Sequence, residues 1–83
     1  MTDEEREAKL ASLVRLKNLG EKAYDDMYEA HSFSQSSVHY SDAKEFFYDA
    51  IRLAGELGMT EEADALGKRL AHIKEGFRRF FVQ

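Results

Sequence analysis

The chain of 83 residues contains no cysteine, no proline and no tryptophan. Without cysteine, disulfides, thiolate metal sites and thiol nucleophiles are excluded together, which suits a cytoplasmic protein. Without proline, no interior position carries an obligatory helix breaker. Long apolar runs are missing as well. No stretch has the length and apolarity of a membrane span, and the first residues lack the basic-then-apolar layout of a signal peptide. Gly-rich phosphate loops, Gly-x-x-x-x-Gly-Lys and Gly-x-Ser-x-Gly do not occur. The expectation is therefore a non-enzymatic protein without a cofactor.

What remains is 43% hydrophobic and 34% charged, the balance of a helical globular domain rather than a disordered chain. Residues 1–83 leave room for one domain with a modest core. The formal charge of −4 argues against a nucleic-acid coat. Its distribution is uneven: the start, Thr2 to Glu7, leans acidic, while Lys68, Arg69, Lys74, Arg78 and Arg79 gather near the end.

The apolar spacing predicts an all-α fold of three helices, either a small bundle or a hairpin with a third helix added. Thr2 and Glu5 form a capping-box pattern, opening a first helix over about 3–30. Its stripe is Leu13, Leu16, Gly20, Ala23, Met27 and Ala30. Gly20 is either a kink or a place where another helix comes close. The serine-rich segment 31–40 loses periodicity and reads as a loop, with Phe33, Val38 or Tyr40 tucked beneath it. Ser41 then reads as the N-cap of a second helix over 42–57, and Gly58 as its left-handed stop. Thr60 caps a third helix over 61–81, in which Gly67 and Gly76 read as close-packing points. The expected core is Leu13, Leu16, Ala23, Met27, Phe47, Ala50, Ile51, Ala54, Leu57, Leu66, Leu70, Ile73 and Phe77.

Ala43, Phe47 and Ala50 are spaced like the small–aromatic–small pattern of the second helix in a tetratricopeptide repeat. Leu19-Gly20 with Ala23-Tyr24 resembles the Leu-Gly…Tyr part of that repeat's first helix. About ten extra residues separate the two halves, Tyr24 falls one position late, and Gly55 stands where the family has its closing proline. The resemblance implies a helical hairpin with a capping helix and peptide-type binding.

Candidate chemistry is sparse. His31, His39 and His72 lack the i, i+3 or i, i+4 spacing that brings ligands to one helical face, so no metal is expected. Asp25-Asp26 and Glu61-Glu62 are adjacent on helices and diverge by about 100°. The leading expectation is a small protein–protein interaction module, with a homodimer as one form of it. On this reading helix one outruns helix two. That leaves Leu10 and Leu13 uncovered at one end and Phe80 and Phe81 at the other, beside Arg78 and Arg79. The alternative is binding of nucleic acid or an anionic surface through the basic, aromatic end of helix three.

Overall fold

The first two helices begin where a side-chain hydroxyl satisfies an orphan N–H group. The computed structural model describes residues 1–82. The first helix, α1 (Asp3–Glu29), starts at Thr2, whose Oγ1 accepts from the Glu5 amide at 3.2 Å. Asp3, Glu4 and Glu5 occupy its first turn, where negative charge suits the helix dipole. It runs unbroken through Gly20.

The second helix corrects the sequence reading. The segment 31–40 is not a loop, and Ser41 is an exposed residue inside α2 (Phe33–Glu56). Ser32 is the N-cap, and its Oγ accepts from the Gln35 amide at 3.2 Å. The Gln35 side chain in turn accepts from the His31 amide at 3.2 Å. Ser32-Phe33-Ser34-Gln35 is thus a capping sequence, with the glutamine reaching one residue further back than usual. The buried Ser36 hydroxyl donates to the Met27 carbonyl at 3.1 Å. It thereby satisfies one of the carbonyls left without a partner in the last turn of α1. Tyr40 is half-buried, whereas Phe33 and Val38 are exposed.

The stop at Gly58 is as expected. Its φ is +72°, the Met59 amide donates to the Ala54 carbonyl at 2.9 Å, and the Gly58 amide donates to Gly55 at 3.1 Å. That bond pair is the Schellman ending, which a residue with a Cβ forms only under strain. The third helix, α3 (Thr60–Phe81), follows at once. Thr60 is its first residue rather than its cap. Met59 holds the cap position without a side-chain hydrogen bond and packs instead against the core.

Three-residue and three-residue links, 30–32 and 57–59, make successive helices antiparallel, so α1 and α3 run in the same direction. Their backbones pack against α2, while α1 and α3 meet chiefly through side chains. Ten of the expected core residues are buried, from Leu13 to Ile73, and Ala43 joins them. Leu16, Ile51 and Phe77 are only half-buried. Small residues are buried on both of the first two helices, Ala23 on α1 and Ala43 and Ala50 on α2, and Gly20 lies against Phe47. A Cβ on Gly20 would stand 2.7 Å from Cε2 of Phe47, a ring that is 1% exposed. Gly20 is therefore a close approach and not a kink. Gly67 is not the packing point expected of it, since nothing lies within 4 Å of its missing Cβ.

Two glycine substitutions should consequently have opposite signs. Gly20→Ala should overpack against Phe47 at a cost of about 1–3 kcal/mol, more than the roughly 1 kcal/mol that helix propensity returns. Gly67→Ala should show the gain of up to about 1 kcal/mol alone. Urea midpoints moving down for the first and up for the second are the expected outcome. Separately, Ser32→Ala should cost about 1 kcal/mol and speed amide exchange in the first turn of α2, leaving the last turn protected.

Candidate interaction surface

The three helices bring Tyr24, Tyr28, Phe33, Tyr40, Phe77, Phe80 and Phe81 towards one end of the bundle, where α1 finishes, α2 begins and α3 finishes. Tyr24 and Tyr28 lie one turn apart on α1, with ring centroids 5.2 Å apart edge-to-face and hydroxyls 3.3 Å apart. Gly76 of α3 makes room for them, since a Cβ there would lie 2.8 Å from the Tyr28 hydroxyl. His72 meets the Tyr24 ring edge-on at 6.4 Å. On the α2 side, Tyr40 stacks on Phe77 with centroids 3.9 Å apart and planes 6° from parallel. Phe77 continues to Phe81 at 5.5 Å and to Phe33 at 6.0 Å. Tyr28 closes the chain of rings by touching both Phe80 and Phe81.

This cluster is only partly covered. Phe80 is 63% exposed, Phe33 56% and Val82 49%, which puts three large apolar side chains in water at one end. Phe81 is half-buried, so the two terminal phenylalanines do point differently. Arg78 and Arg79 are exposed beside them, Arg78 bonded to Glu75 one turn back. Leu10 and Leu13 are not part of any such surface. Leu13 is 3% exposed and Leu10 packs half-buried against the core. The reason is the early start of α2. At 24 residues it is about 36 Å long against about 40 Å for α1, so the supposed overhang of helix one is covered. The expected pair of patches reduces to one, at the aromatic end.

Nearer the opposite end, charged side chains take over between α1 and α3. Arg69 holds Glu21 through Nε at 2.8 Å and Nη2 at 2.6 Å and lies over the Tyr24 ring at 5.0 Å. Lys17 bonds to Glu62. Of the adjacent carboxylates, Asp26 bonds Lys22 at 3.0 Å on its own helix and Glu62 bonds Lys17 on α1. Among the described residues no three His, Asp or Glu side chains are placed to hold a metal ion. Among the same residues no helix is long and apolar enough to cross a membrane.

No protein-family model, curated protein or solved structure matches this chain. The small–aromatic–small pattern does pack helices closely here, at Ala43, Phe47 and Ala50. Yet the α1–α2 hairpin runs from residue 3 to residue 56, well beyond the roughly 34 residues of a tetratricopeptide repeat. The local packing logic is shared while the repeat itself is not formed.

Burial among these rings pushes the Tyr24 phenol up to about 12, and its bond with Tyr28 adds to the shift. Burial also raises Tyr40. A raised phenol keeps its proton longer in the folded chain than in the unfolded one, whose tyrosines titrate near 10. The associated stability is therefore complete below about pH 10 and lost as the pH climbs towards about 12. Thermal unfolding between those limits should show a falling midpoint, and Tyr24→Phe should flatten that slope.

Proposed function

We propose that this chain is a non-catalytic protein–protein interaction module that docks through the aromatic end of the bundle. The observation that carries the reading is the exposure of Phe80, Phe33 and Val82 around a ring cluster otherwise packed within itself. Exposed aromatic side chains packed against half-buried ones make stiff anchors, losing little side-chain entropy on binding. A catalytic reading finds no comparable support. The titratable groups that shift move away from neutrality: Tyr24 and Tyr40 upwards through burial, Lys22 and Arg69 upwards through bonds with Asp26 and Glu21. Acid–base catalysis gains from the opposite direction. Nucleic-acid binding is weakened as a reading because Arg69 and Arg78 already hold carboxylates, which leaves less charge for phosphates.

Replacing Phe80 with the photo-crosslinking residue benzoylphenylalanine tests the proposal in cells. The expected outcome is one or a few discrete protein adducts, including a dimer band if a second copy is the partner. The same residue at exposed Arg15, far along α1, should give none. Equal, diffuse labelling from both positions would remove the proposal.

A further inference from the structure

Between α2 and α3, beside the aromatic end, lies a second feature with a different chemical character. A groove of about 290 Å³ runs along the Tyr40–Phe77 stack and is bordered by Ala71, Lys74, Val82 and the ion-paired Glu75 and Arg78. It falls just below the roughly 300–1,000 Å³ usual for small-molecule sites, and its size suits one large side chain of a partner. Its charge is the distinguishing point. Six other basic side chains each hold a carboxylate: Lys9, Lys17, Lys22, Arg52, Arg69 and Arg78. Lys44 and Lys74 instead lie over aromatic rings. Lys44 Nζ is 4.5 Å from the centre of Tyr40, and Lys74 Nζ is 4.9 Å from the centre of Tyr48 while donating to its hydroxyl. Neither forms an ion pair with a carboxylate among the described residues, although acidic side chains outnumber basic ones 16 to 12 in this chain.

We propose that this groove receives an acidic segment of a partner protein, with an apolar side chain against the Tyr40–Phe77 stack and carboxylates on Lys74, which borders the groove, and on Lys44, which flanks it over the Tyr40 ring. The proposal rests on the interaction-module reading and specifies the partner's chemistry. Two ammonium groups already held over ring faces are preorganised for discrete carboxylates, which cost less to order there than at free lysines. A continuous phosphate backbone fits less well: it carries a charge at every unit and has to pass Glu75, which borders the groove, whereas a peptide can set an uncharged residue there. Neither of two other hollows offers as much. The one at the α2–α3 turn is larger but bordered by a single run, Gly58 to Glu62, and the notch by Gly76, lined by Tyr24 and Tyr28, is smaller at about 200 Å³.

Fluorescence anisotropy with a labelled peptide, Glu-Glu-Phe-Leu-Glu-Glu, provides the test on the full chain. Binding is expected below about 1 mM. The double reversal Lys44→Glu with Lys74→Glu should weaken it by about tenfold or more. The same variant should gain affinity for the basic counterpart, Lys-Lys-Phe-Leu-Lys-Lys, while circular dichroism shows unchanged helicity. Three results would each overturn the proposal: no binding of the acidic probe, equal binding by the wild type and the reversed variant, or tighter binding of a single-stranded oligonucleotide than of the peptide. Crosslinking at Phe80 reads the module separately. Adducts there without peptide binding overturn the groove alone, and failure of both overturns the module as well.

Discussion

The approach of α1 to α2 at Gly20 and Phe47 is the constraint on which the rest of the arrangement depends. A missing side chain on one helix and a buried ring on the other bring the two backbones close. Ala23, Ala43, Ala50 and Ala54 extend the same small-residue seam to either side. Interiors gain from such contacts because they are dense, and each atom pair adds only a small dispersion term. The seam therefore stabilises through its length and needs α2 to match α1 almost end to end. The capping sequence at Ser32 and the Ser36 bond to the Met27 carbonyl supply that match at the point where the chain turns.

A seam built of small residues leaves the large side chains to other places. Leu66, Leu70 and Ile73 of α3 fill the groove along α2, forming the larger part of the apolar core with Leu13, Phe47 and Leu57. The rings that do not fit there collect at the end where all three helices offer one. Between α1 and α3 the contact is made by Glu21–Arg69, Lys17–Glu62 and the tyrosines, not by close backbones. Partly exposed ion pairs are worth about 0–1 kcal/mol each, so their chief effect is on the register of α3 relative to α1. The small-residue seam and its leucines carry the stability of the bundle, and under the proposed function the aromatic end with its neighbouring lysines carries recognition.

The helical periods, the Thr2 cap and the Gly58 stop follow from the amino-acid sequence alone, because each depends on residues within a turn or two of one another. The aliphatic core was legible for the same reason: Leu66, Leu70 and Ile73 recur at helical spacing wherever their partner lies. The start of α2 was legible too, in Ser32 with Gln35 and in the step from Ala43 back through Tyr40 to Ser36. Abundant serine concealed it, since serine favours both caps and loops until a partner is known. What only the tertiary structure decided were the contacts across helices. Gly20 and Gly67 are alike as letters, yet one faces Phe47 and the other faces open space. Leu13 is buried because α2 reaches it, and Lys74 of α3 stands over the Tyr48 ring of α2. Such differences arise from which side chains are brought within a few ångströms across helices, a distance that sequence separation does not encode.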